Sequence, residues 1–149
     1  MDDVLCPTPI EITLAGQTLL LSELSDADSV ALDSWVQGQC VAAARASLSE
    51  DAAQDEWDQV VGAASRAAVG LTWTRKPGRD AMWTPRGYAR LVWQGLKTRH
   101  PKLTHDRVQE LIKMSSPNER RALANAYLRV NGLDRDAKER KESDPQAPA

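Results

Sequence analysis

The stretch Leu91–Met114, LVWQGLKTRHPKLTHDRVQELIKM, leaves few ways for this chain to fold. Proline disfavours helical geometry at the residue before it, so Pro101 is predicted to end a helix at His100. Thr104 then supplies a capping hydroxyl for a new helix, with Val108, Leu111 and Ile112 on its inner face. Upstream, Thr84-Pro85 opens the first of the pair: a capping hydroxyl, then proline at the first helical position, where its missing N–H does no harm. Tyr88, Leu91, Val92, Gly95 and Leu96 define one face of that helix, with Trp93 beside it. A helix, a sharp corner and a second helix follow from local chemistry alone.

The same signals recur on both sides. Ser116-Pro117-Asn118-Glu119 combines a serine cap, proline at the first position and a glutamate able to reach back to the serine N–H. That helix is predicted from Pro117 to Val130, with Leu123, Ala126, Tyr127 and Val130 inward. Asn131-Gly132 stops it, glycine suiting the left-handed position after a helix end. Ser25, followed by Asp26 and Asp28, opens a helix predicted to reach Ser47. Its apolar spacing runs through Val30, Leu32, Trp35, Val36, Cys40, Val41, Ala44 and Leu48, and Gly38 weakens its middle. Ser49 is expected to cap the next, whose stripe is Trp57, Val60, Val61, Ala64, Ala68 and Leu71.

The N-terminal region reads differently. Ile10–Leu14 alternates apolar and polar residues, Ala15-Gly16-Gln17 forms a turn, and Thr18–Ser22 returns, which is a β-hairpin pattern. A lone hairpin is marginal, so it must pack on helices or on another chain, and its free edge is a candidate for self-association. Residues 133–149 hold charge, Pro and Ala after a single leucine, and are predicted to be a disordered tail. The expected fold is mainly α: an N-terminal β-hairpin, then about five helices in a small orthogonal bundle. The expected divisions are 1–24 (arm and hairpin), 25–132 (helical domain) and 133–149 (tail).

Composition narrows the function. No apolar run approaches the roughly 18 residues that span a bilayer, and the acidic MDDVLCPTPI start argues against a secretory leader. Cys6 and Cys40 are far apart and have no ligand cluster, which fits free thiols in a reducing cytoplasm. Residues 1–74 hold twelve acidic and two basic side chains, whereas 75–113 hold ten basic and three acidic. Such polarity suits contact between the two parts, head-to-tail contact between copies, or a nucleic-acid face. His100 and His105 are expected at the surface around the corner, without convergent metal ligands. No Gly-rich phosphate loop and no nucleophile elbow is present, so the expectation is a non-enzyme without cofactor or metal.

The longest internal loop, residues 72–84, reads TWTRKPGRDAMWT. Arg75, Lys76 and Arg79 lie between Trp73 and Trp83, and aromatics interleaved with cations can bind a partner or a single strand. The alternative, which the sequence favours, is that both tryptophans pack onto the core and anchor the loop. Arg90, Lys97 and Arg99 extend the basic surface along the following helix.

Two segments resemble the tail assembly chaperones of long-tailed bacteriophages. One is Pro9–Ser25, PIEITLAGQTLLLSELS, similar to that family's short hairpin with glycine followed by a helix. The other is Leu91-Val92-Trp93 to Ile112, similar to its helix, HPxLT connector and Val-x-x-Leu-Ile helix. The basic loop at 72–84 lies outside the resemblance. The resemblance implies a helical protein of the host cytoplasm, encoded by a phage or prophage. It would coat the long tape-measure protein until tail-tube subunits polymerise, and would self-associate along it. On this reading the partner-binding residues are Trp73, Trp83, Arg75, Lys76, Arg79, Arg90, Lys97 and Arg99. The rivals are a nucleic-acid-binding helical module and a structural virion component of the head–tail or tail. The acidic chain and the apolar turn of its last helix speak against nucleic acid.

Overall fold

A computed structural model describes residues 8–132. The predicted tail at 133–149 and the first seven residues, Cys6 among them, lie outside the described residues. The fold is mainly helical with an N-terminal two-stranded hairpin: β1 (Ile10–Leu14), β2 (Gln17–Leu21), α1 (Asp26–Ala46), α2 (Gln54–Ala68), α3 (Gly78–Met82), α4 (Pro85–Leu96), α5 (His105–Met114) and α6 (Pro117–Val130). The chain divides into two compact units, Ser25–Leu91 and the remainder, Met1–Leu24 with Val92–Ala149. The second boundary falls within α4.

In the hairpin unit β1 and β2 pair antiparallel with Leu14 opposite Gln17. The turn is therefore two residues, Ala15 and Gly16, at φ of 50° and 80°, and Gln17 belongs to β2 instead of the expected turn. Two left-handed central residues give a hairpin turn whose twist matches that of the strands. Ile12, Leu14, Leu19 and Leu21 share the buried face. α6 packs on β1 and contributes Leu123, Ala126, Tyr127 and Val130, the four residues predicted to face inward.

The turn is held by the α5–α6 joint. Ala15 N–H donates to Ser115 Oγ at 3.0 Å, and Ser115 in turn donates to the Leu111 carbonyl at 2.6 Å. Gly16 N–H donates to Glu119 Oε2 at 3.1 Å, while the other carboxylate oxygen accepts from Ser116 N–H at 2.9 Å and completes the predicted capping box. These backbone donors, first Ser116 and then Gly16, hold the Glu119 carboxyl below its ordinary value of 4.5. A depressed folded-state pKa stabilises the fold above the unfolded value and loses that contribution as pH falls through the folded one. Stability is therefore expected to fall on acidification at and below the ordinary carboxylate range. Glu119→Gln should be less stable than wild type at neutral pH, with the two converging in acid. Thermal melts across the acidic range measure this, and parallel curves would rule it out.

The outer edge of β2 is used within the same unit. Leu20 N–H donates to His100 Nε2 at 3.0 Å, and Ser22 N–H donates to the Gly95 carbonyl at 2.8 Å. His100 is thus a half-buried acceptor with its proton on Nδ1, not the surface residue expected. α4 itself ends at Leu96, one turn before the predicted stop at His100, and a turn continues to Pro101. His100→Ala leaves the Leu20 N–H without its partner at a sheet edge and should cost about 1–2 kcal/mol in a denaturant titration. An unchanged midpoint would show that water replaces the imidazole at no cost.

In the other unit, Ser25 caps α1 as expected, Asp28 reaches back to it to make a reciprocal pair that the sequence reading did not include, and α2 packs on α1. Ser49 does not cap α2. Its carbonyl accepts from Ala52 N–H in a turn, so the helix begins only after Ala53, which offers no side-chain cap. The α2 stripe matches its prediction: Ala68 is buried, and Trp57, Val60, Val61, Ala64 and Leu71 are half-buried. On α1 the buried residues are Asp28, Leu32 and Val36, whereas Val30, expected inward, is 64% exposed. Within 72–84, expected to be loop throughout, Gly78–Met82 forms the short helix α3.

Candidate docking surface

The loop tryptophans part company. Trp73 N–H donates to Asp33 Oδ1 and its indole N–H to Ser29 Oγ, each at 2.9 Å, which ties the loop to α1. Gln37 Nε2 adds a bond to the Leu71 carbonyl. Trp73 is therefore an anchor. Trp83, at the C-terminal cap of α3, is 72% exposed.

Arg79 precedes Trp83 by four residues, one helical turn, so the two side chains share a face of α3. Arg75 and Lys76 are exposed just upstream, and Lys76 Nζ lies 3.9 Å from Asp80 Oδ1. That pair is solvated and contributes little to stability. An accessible indole bordered by guanidinium groups is the arrangement that dominates binding energy at protein interfaces.

The remaining predicted residues do other work. Arg90, in the same unit, is half-buried, and burial, then the neighbouring Arg86 charge, lowers its pKa below the ordinary guanidinium range. It is not a free surface cation. Lys97 and Arg99 belong to the hairpin unit. Lys97 Nζ sits 5.3 Å from the Trp93 ring centroid, a cation–π contact. Trp93 donates its indole N–H to the Leu103 carbonyl at 2.8 Å and lies 6.4 Å from the His105 ring, so it bolts down the connector between α4 and α5. Arg99 is exposed. The candidate docking surface contracts to Arg75, Lys76, Arg79 and Trp83.

Sequence reading missed Ser115 and Glu119 as the clamp on the hairpin turn. Their only local signal was helix capping, and the Ala15 and Gly16 donors lie about a hundred residues away. Among the described residues no three His, Cys, Asp or Glu side chains converge to hold a metal ion, and no helix is long and apolar enough to cross a membrane. No protein-family model, curated protein or solved structure matches this chain.

Proposed function

We propose that this protein is a tail assembly chaperone of a long-tailed phage or prophage, a non-catalytic binding protein that engages the tape-measure protein in the host cytoplasm and yields it to tail-tube subunits. The observation that carries the reading is the exposed Trp83 on the same short segment as the exposed Arg75, Lys76 and Arg79. Trp and Arg are the residues most enriched among interface hot spots, and an indole held in water gains its hydrophobic energy only when a partner covers it. Guanidinium and ammonium groups around it select an acidic, amphipathic partner surface such as a helix of the tape-measure protein. The resemblance of Pro9–Ser25 and Leu91–Ile112 to the chaperone family supplies the identity of that partner.

The test is co-expression with the long helical protein encoded beside it. The chaperone should keep that protein soluble and co-purify with it, and Trp83→Ala should abolish capture. If the long protein stays insoluble and nothing co-purifies, the proposal fails.

The same turn also has the ingredients of a single-strand binder, aromatic and cationic together. The α5–α6 joint offers nothing comparable, since the start of α6 is occupied by the hairpin turn through Ser115 and Glu119. Salt-sensitive binding of single-stranded DNA that disappears in Trp83→Ala would replace the chaperone reading. Presence in purified virions would favour a structural component.

A further inference from the structure

The Ser25–Leu91 unit is electrically polarised along its long helices. α1 and α2 pack on each other through a short connection, residues 47–53, so the end of α1 and the start of α2 lie together. Glu50, Asp51, Asp55, Glu56 and Asp58 are all exposed at that end, with Arg45 the cation among them. Trp73 is tied to Ser29 and Asp33 in the first half of α1, and Gly78 sits against Val36 at its middle, so the turn carrying Arg75, Lys76 and Arg79 lies beside the first half of that helix. From Val36 to the end of α1 at Ala46 the helix rises roughly 15 Å. That separation is about twice the screening length at physiological salt, so the two patches of one molecule do not neutralise each other. Among the described residues, neither Arg75 and Arg79 nor Glu50, Asp51, Asp55 and Glu56 take part in an ion pair.

We infer that the Trp83 turn of one molecule docks on the acidic α1–α2 end of a second copy. This deepens the docking reading above by naming what the turn takes when the protein is alone. The complementarity is specific in sign and place: cations on the turn that carries an exposed indole, uncompensated carboxylates at the α1–α2 connection. Alanines 52 and 53 and the half-buried Leu48 lie among those carboxylates and give the indole an apolar seat. Because the two surfaces differ and lie apart on the unit, the contact is heterologous. It does not pair two copies symmetrically and so adds further copies head to tail, into a ring or an open array.

Charge reversal tests this. In sedimentation velocity the wild-type protein should associate with rising concentration at low salt and disperse at high salt. Arg75→Glu/Arg79→Glu should be monomeric, as should Asp55→Lys/Glu56→Lys, with both retaining wild-type circular dichroism because all four positions are exposed. Mixed together they should associate again, since one then carries two acidic patches and the other two basic patches. Trp83→Ala should weaken wild-type association roughly tenfold or more. A wild-type monomer at every concentration at low salt, association that survives both reversals, or a mixture that stays dispersed would each overturn the contact. Self-association is read without any other protein. Absence of wild-type self-association with tape-measure capture intact therefore overturns this inference alone, and wild-type self-association without capture overturns the chaperone reading alone.

Discussion

Gly87→Ala will destabilise this protein severely, and Gly78→Ala will do nearly the same. A β-carbon at Gly87 would stand 1.8 Å from the Ala81 carbonyl oxygen and 2.8 Å from Met82 Cα. At Gly78 it would stand 2.0 Å from the Thr72 carbonyl oxygen and 3.0 Å from Val36 Cγ1. Real β-carbons do not approach atoms so closely. The nearest obstacles are backbone, which cannot swing aside as the end of a side chain can. Relief requires moving α3 away from the start of α4, or moving the 72–78 turn that Trp73 holds on α1. Overpacking usually costs 1–3 kcal/mol, and with backbone on the receiving side we expect at least about 3 kcal/mol for each variant, or roughly a 10 °C loss in Tm. Gly38 is the control. A β-carbon there meets nothing within 4 Å, so Gly38→Ala should stabilise α1 by about 0.5–1 kcal/mol. A wild-type Tm for Gly87→Ala would mean that α3 and α4 do not approach this closely.

The second large effect separates the two loop tryptophans. Trp73→Ala removes a half-buried indole and its bond to Ser29 Oγ, leaving the turn held on α1 by the backbone bond of residue 73 to Asp33 and by Gln37. A loss of about 2–4 kcal/mol is expected. Trp83→Ala removes a side chain that is 72% exposed and should change stability by less than about 0.5 kcal/mol. Binding should respond in the opposite order. At a temperature where both variants are folded, Trp83→Ala loses partner capture and Trp73→Ala retains it. Thermal melts paired with pull-downs give both readings. If the two substitutions lower Tm equally, both indoles are packing residues, and the docking surface loses its anchor.

Capping and punctuation made most of the fold readable. Ser25, Thr84, Thr104 and Ser116 all cap the helices they were predicted to open, because a cap is decided by four adjacent residues. Ser49 failed as a cap because a turn follows it and α2 starts only at Gln54, beyond the two or three residues that a capping hydroxyl serves. The α4 helix shows a different limit. Sequence spacing marks one face, yet Gly87, Ala89, Leu91, Val92, Gln94, Gly95 and Leu96 are all buried. Gln94 is 1% exposed, and burial on nearly every side does not follow from periodicity when a helix carries glutamine among its apolar residues.

The candidate site was legible only as composition. Two tryptophans and three cations in thirteen residues announce a surface or an anchor, and the sequence favoured the anchor for both. The choice between them rests on Asp33 and Ser29, forty residues upstream, which bind Trp73 and leave Trp83 in water. In the same way, His100 became a sheet-edge acceptor and Glu119 a clamp only because β2 and the hairpin turn came to lie beside them.

By itself, then, the sequence determined the hairpin, the starts of four helices, the corner at His100-Pro101 and the uneven charge along the chain. These depend on neighbours within a few residues, where dihedral preference and hydrogen-bond geometry act without knowledge of the fold. Tertiary structure alone decided which tryptophan faces solvent, which glycines admit no side chain and which donors the histidine and glutamate receive. Each of those outcomes depends on atoms brought within a few ångströms from tens of residues away.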